Sequence, residues 1–163
     1  EAKTYDEPER IGGVTVTKYQ LLPPLTKEEY EALKADIAKR GVLVPVEYDE
    51  EGNILDGHHR VQICNELGIK EWPSIVRIGL SEEEKVEHVL ALNLDRRHLT
   101  REQRRELVAR LREQGWSLRR IAEQLGVSDF TVREDINNSG AINHAPSTVI
   151  GVGGKTYTFK EER

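Results

Sequence analysis

The chain has 163 residues, with 29 acidic against 24 basic side chains and a net charge of −5; that size sets one domain or two small ones. No apolar run approaches the ~20 residues that cross a bilayer and no signal-peptide pattern opens the sequence, so no membrane partner is expected and a cytoplasmic place is. The single cysteine, Cys64, excludes an internal disulfide and fits a reducing compartment.

The charge is unevenly placed. Residues 1–95 hold 11 basic and 20 acidic side chains, whereas residues 96–163 hold 13 and 9. The stretch 96–133 alone has 10 arginines against 5 acids. An acidic front and an arginine-rich back point to two functions, the second facing a polyanion.

Residues 1–20 are polar and read as a flexible N-terminal segment, with a Gly12-Gly13 break and a short alternating Val14-Thr15-Val16-Thr17. Leu21-Leu22-Pro23-Pro24-Leu25 is extended, because proline restricts the residue before it. Thr26-Lys27-Glu28-Glu29 is a capping box. It predicts a helix to about Arg40, with Tyr30, Leu33 and Ile37 inward and Gly41 ending it. Residues 42–46 read as a strand, Pro45 marking an edge or bulge. Residues 49–52 predict a hairpin turn, and 53–55 pair back.

Next comes Asp56-Gly57-His58-His59-Arg60, followed by an apolar periodicity at Val61, Cys64 and Leu67. The reading is strand, tight turn, helix. The glycine lets the backbone turn sharply and approach a ligand, and a helix start presents N–H groups and partial positive charge. Two imidazoles and a guanidinium at that spot suit an anion, a phosphate above all. The plain alternative is that Asp56 caps the helix and the rest is a solvated turn. Cys64 lies on the apolar side of this helix and reads as a buried structural thiol. A zinc site at His58 and His59 lacks a third ligand with useful spacing.

Residues 72–78 give another short strand. Ser81-Glu82-Glu83-Glu84 is a second capping box, and its helix carries Val86, Val89 and Leu90 inside and ends near Asp95. Asn93 continues that apolar stripe, so an amide points inward where an apolar residue would pack better. Thr100-Arg101-Glu102-Gln103 is a third capping box, opening a helix with Leu107, Val108 and Leu111 inside and Gly115 at its end.

Residues 117–125 and 128–137 then form two short helices around Gly126-Val127. A small residue, Ala122, suits a close helix crossing, Gly126 suits the left-handed turn, and Val132 anchors the second helix. This is the pattern of a helix-turn-helix. If it reads double-stranded DNA, the second helix enters the major groove with Asp129, Phe130, Thr131 and Arg133 exposed. Ser128 and Thr131 could donate to phosphates, and Arg119 and Arg120 would lie on the phosphate backbone. Acids at Asp129, Glu134 and Asp135 temper that attraction. Residues 139–163 are rich in Ser, Gly, Asn and Pro and read as a loose tail. Within it Gly154-Lys155-Thr156 imitates the end of a phosphate-binding P-loop, but Val149 stands where the first glycine is needed.

Four segments in fixed order carry a family resemblance. Gly41-Val42-Leu43-Val44-Pro45 stands for a Gly-x-x-x-Pro segment after a helix. Gly57-His58-His59-Arg60 stands for Gly-Glu-Arg-Arg, Leu92-Asn93-Leu94-Asp95-Arg96 for Glu-Asn-Leu-Gln-Arg, and a helix-turn-helix follows. Residues 21–137 thus resemble the ParB-like proteins of chromosome and plasmid partition and their phage-type relatives. The resemblance implies an α+β fold: a small ParB/sulfiredoxin-like mixed-sheet domain over 21–97, then an all-α helix-turn-helix domain over 98–138.

It further implies a pocket for CTP with magnesium and a homodimer clamped on DNA, with a nucleoid-associated place in the cell. Carried over, the nucleotide-binding set is Gly41, Val44, Pro45, Asp56, Gly57, His58, His59, Arg60, Asn93, Arg96 and Arg97, with Asn93 reaching the magnesium. His58 and Leu92 replace the family's two glutamates, which puts nucleoside triphosphatase activity in question. Val44 replaces the glutamine before the proline, so ATP or ADP are alternatives to CTP. Asp-Gly-His-His-Arg also resembles the motif of free-serine kinases on the same fold, where Asp56 would be the catalytic base. Sulfiredoxin has its nucleophilic cysteine where His58 stands, so that chemistry is absent. No carboxylate cluster suits a two-metal nuclease.

Overall fold

The computed structural model describes residues 10–11, 14–15, 18–94, 96, 98–139 and 148–158. The chain divides into two compact units, residues 1–89 and 90–163.

In the first unit, strand β1 (Arg10–Ile11) pairs antiparallel with β2 (Val14–Thr15). Helix α1 (Lys27–Arg40) starts at the expected capping box, where Thr26 and Glu29 satisfy each other's backbone N–H groups. It ends at Gly41, whose φ of 74° only glycine adopts without strain. A three-stranded sheet has the order β4–β3–β5, with β3 (Val46–Asp49) antiparallel to β4 (Ile54–Asp56) and parallel to β5 (Ser74–Arg77). Helix α2 (His58–Glu66) packs on α1. Ile37, Ile63 and Cys64 form the buried centre of that packing, covered by Tyr30, Leu33, Val42, Ile69 and Trp72.

Two expectations need correction. Residues 42–46 are not a strand: Leu43 and Val44 are exposed, and the ladder begins at Val46, whose N–H donates to the Pro73 carbonyl. Pro45 has no N–H to offer, so pairing starts one residue later. Helix α2 buries Ile63 with Cys64, not Leu67, which is exposed. Burial pushes the Cys64 thiol pKa up, as a structural thiol requires.

Helix α3 (Glu82–Leu94) opens at Ser81 with a reciprocal Ser81–Glu84 cap. Its first turns meet β3 through charged side chains, and Val86 and Val89 are buried. Lys85 Nζ donates to Asp49 Oδ2 at 3.0 Å, both side chains being buried. Glu47 accepts two bonds from Arg77 and lies 2.7 Å from His88 Nε2. The Arg77 guanidinium, with His88, pulls the Glu47 carboxyl down to about 2.

The division between units falls inside α3, whose last turn belongs to the second unit. There α4 (Arg101–Glu113), α5 (Leu118–Leu125) and α6 (Asp129–Asn138) pack on one another. Thr100, Ser117 and Ser128 cap the three helices. Leu107, Val108, Leu111, Ile121, Ala122 and Val132 are buried between them. The expected tail is not loose over 148–158. There β6 (Thr148–Ile150) and β7 (Thr156–Thr158) form an antiparallel hairpin. Ile150 donates to the Gly115 carbonyl and accepts from Ser117 N–H, which ties the hairpin to the α4–α5 turn and covers Trp116. No described helix is long and apolar enough to cross a membrane.

Candidate functional site

Among the described residues, the start of α2 is built differently from the other five α-helix starts. Those begin at Thr or Ser, and each cap oxygen accepts a first-turn N–H. Here the cap is Gly57, at φ 104° and ψ 20°, which has no side chain to offer. Asp56 stands one residue before the cap position. It ends β4, and its Oδ2 accepts from Arg60 Nη2 at 3.0 Å. Arg60 Nη2 also lies 3.2 Å from the Pro45 carbonyl. The guanidinium is thus folded back over Gly57, and a Cβ at 57 would lie 2.9 Å from Arg60 Nη2 and 3.1 Å from Val46 Cγ2. Glycine is needed here on two counts, conformation and space.

Among the described residues, two nitrogens at this turn are buried without a hydrogen-bond partner: Arg60 Nε and His58 Nε2. Buried polar atoms are nearly always satisfied, so this donor and this imidazole nitrogen stand open to a further partner. Burial holds His58 neutral, with a pKa pulled down to about 4, and the neighbouring His59 and Arg60 add to that. His59 is turned elsewhere: its Nε2 accepts from Leu25 N–H at 3.3 Å, and its ring stands edge-on to Tyr30. That nitrogen holds the segment before α1 and is not open to a phosphate.

Of the expected nucleotide set, Pro45, Asp56, Gly57, His58 and Arg60 meet at this turn. Gly41 is the C-cap of α1, and Val44 is exposed in the loop before β3. Asn93 and Arg96 belong to the second unit, with Arg96 N–H donating to the Asn93 carbonyl. Arg97 lies outside the described residues.

Magnesium asks for oxygen donors in an octahedral array. The turn offers nitrogen, Asp56 is held by Arg60, and no cluster of three or more His, Cys, Asp or Glu lies among the described residues. A magnesium ion at this turn would therefore take its oxygens chiefly from the phosphates of a bound nucleotide and from water. Asp56, the expected base of the kinase alternative, is the residue paired with Arg60.

In the second unit α5, Gly126 and α6 form the helix-turn-helix. Gly126 takes φ 64° and ψ 31°, and its N–H bonds the Ala122 carbonyl, closing α5. Asp129, Phe130 and Arg133 are exposed on α6, and the Arg119 side chain is 77% exposed on α5. Arg120 is not among the exposed set: it is buried, its guanidinium 3.9 Å above the Trp116 ring. Asp135 is also inward, taking two bonds from Arg104 of α4. Neither residue was separable from its exposed neighbours by spacing alone. Thr131 N–H and hydroxyl both point to Ser128 Oγ, so these two hydroxyls serve the cap first.

Comparison with known proteins agrees with this division. Residues 10–94 match the model of the ParB N-terminal domain, and residues 99–141 match a homeodomain-like domain. A relative in Acidianus two-tailed virus, uncharacterised protein ORF326b, is 41% identical over 106 residues, which is 65% of this chain and 32% of that protein. The chain thus spans about a third of the length of that relative. Among solved structures, it is similar to C-terminally truncated ParB of Caulobacter crescentus complexed to the centromeric parS site. That likeness has 19% identity and a TM-score of 0.49, over 86% of this chain and 68% of that one. A Pnob8-like ParB-N domain has 20% identity and a TM-score of 0.47, over 85% and 50%. The same Caulobacter crescentus protein complexed with CTP-γ-S has 22% identity and a TM-score of 0.40, over 82% and 70%. With residues 10–94, just over half of its length, matched by that model, the chain belongs to the ParB N-terminal domain family.

Proposed function

We propose that this chain is a partition-type or regulatory DNA-binding protein in which the turn at Gly57 binds the phosphates of a nucleotide, CTP in first place, and so controls engagement of double-stranded DNA. The observation that carries the nucleotide half is the pair of unsatisfied nitrogens, Arg60 Nε and His58 Nε2, at a helix start whose cap residue is glycine. A phosphate oxygen would satisfy Arg60 Nε and gain from the helix dipole. His58 Nε2 would accept from a phosphate hydroxyl or ribose, or donate once an anion has raised its pKa. Val44, exposed in the preceding loop, is in sequence the position that faces the base.

The DNA half rests on α5, Gly126 and α6, with Arg119 and Arg133 exposed on that unit. Such readers usually pair on half-sites about one helical turn apart, hence a homodimer. A protein of this kind acts at the nucleoid.

Calorimetric titration of the chain with CTP, ATP and ADP, each with and without magnesium, tests the nucleotide half. Binding of CTP that is lost in Arg60→Ala supports it, and the absence of heat for all three removes it.

A further inference from the structure

Phe130 is 69% exposed, and no contact with the core explains its place. At ~100° per residue, the buried side of α6, Val132, Asp135 and Ile136, sets the direction of the core. Phe130 then falls near the middle of the opposite side, flanked by exposed Arg133, Glu134 and Asn137. It is in the first turn of α6, the part of the second helix that a helix-turn-helix brings to base edges. The hydroxyls beside it are engaged with each other in the Ser128–Thr131 cap. Asp129, the other exposed side chain of this turn, repels the paired acceptors of guanine and the phosphates. Phe130 is the apolar group that this turn offers a base edge, and thymine alone carries an apolar group, its 5-methyl, in the major groove.

We propose that Phe130 is a specificity residue that packs against the 5-methyl group of one thymine per half-site. The assignment rests on the DNA-reading function proposed above. The test begins by selecting bound sequences from a random duplex library with the whole chain. Each thymine of the selected site is then replaced by uracil, which removes only the methyl group, and affinity is measured for the unaltered chain and for Phe130→Ala. One replacement should weaken the unaltered chain about fourfold, the transfer free energy of one methyl group, and leave Phe130→Ala unchanged. Phe130→Leu, still apolar, should keep part of the discrimination. Specific binding with no uracil-sensitive thymine, or sensitivity that persists in Phe130→Ala, overturns the assignment alone. The absence of any salt-dependent duplex binding overturns the DNA-reading function, and the assignment with it. Because Phe130 is exposed, its variants should keep the helical circular dichroism of the chain.

Discussion

Arg60 reaches back one helical turn to donate Nη2 to Asp56 Oδ2 at 3.0 Å, with both side chains largely buried. The pair joins the end of β4 to the start of α2 and holds the guanidinium over Gly57. Arg60→Ala takes the guanidinium away from a shielded carboxylate and should cost about 2–4 kcal/mol of stability. Adding Asp56→Ala should recover part of that loss. A double-mutant cycle read by urea denaturation measures the coupling, and additive losses would show that the pair contributes nothing. Asp56 also competes with any phosphate for Arg60. Asp56→Asn should therefore tighten the binding of inorganic triphosphate by about fivefold, on the order of 1 kcal/mol.

Gly57→Ala should be costly although it adds a single methyl group. The backbone angle φ 104° disfavours any side chain, and the added carbon meets Arg60 and Val46. The expected loss is about 1–3 kcal/mol, seen as a lowered urea midpoint. Gly68→Ala is the control, because its φ of 72° is also positive but no atom lies near the added carbon. It should cost less, about 1 kcal/mol. Equal losses at the two sites would remove the argument from space.

Acidification should destabilise the first unit in two separable steps. His58 is held neutral to about 4, well below the ordinary 6.5. The unfolded chain takes up that proton first, so stability falls as pH drops below 6.5, and the decline ends near 4. The slope from one such group is at most about 1.4 kcal/mol per pH unit. Glu47 is held down to about 2 by Arg77, so its contribution is complete above 4.5 and is lost as pH falls toward 2. Urea denaturation at a series of pH values, comparing the chain with His58→Gln, should show a flatter profile for the variant between pH 6.5 and 4. Bound phosphate raises the His58 pKa, so phosphate affinity should rise with acidification over the same interval.

How far the sequence discloses these features depends on whether they are local. Thr26 with Glu29, Thr100 with Gln103, and Gly126 after Leu125 are decided within a few residues, and the caps and the turn lie where the spacing puts them. The motif 56–60 was legible as a strand, turn and helix for the same reason. What escaped is decided by partners distant in sequence. Asp49 reads only as part of a hairpin turn and nothing singles out Lys85, yet the two are buried as a pair across 36 residues. Arg120 sits next to Arg119 in one arginine-rich run, and only the fold shows that Trp116 takes one of them. The hairpin over 148–158 is short and polar, and it is fixed by the backbone of Gly115 and Ser117.

Arg119 and Arg120 should therefore respond oppositely to removal. Arg119 makes only an exposed i,i+4 pair with Glu123 at 3.4 Å, which is worth little to the fold. Arg119→Ala should leave the urea midpoint unchanged, weaken duplex binding and reduce the slope of log affinity against log salt by about 0.9 for one lost phosphate contact. Arg120 is buried against the Trp116 ring. Arg120→Ala removes a desolvated cation–ring contact and the packing of its stem, a loss of about 2 kcal/mol. At temperatures where the variant remains folded, its salt slope should equal that of the unaltered chain. A reduced slope in Arg120→Ala would mean that this side chain leaves Trp116 to meet DNA, and the helix-turn-helix surface would have to be redrawn around it.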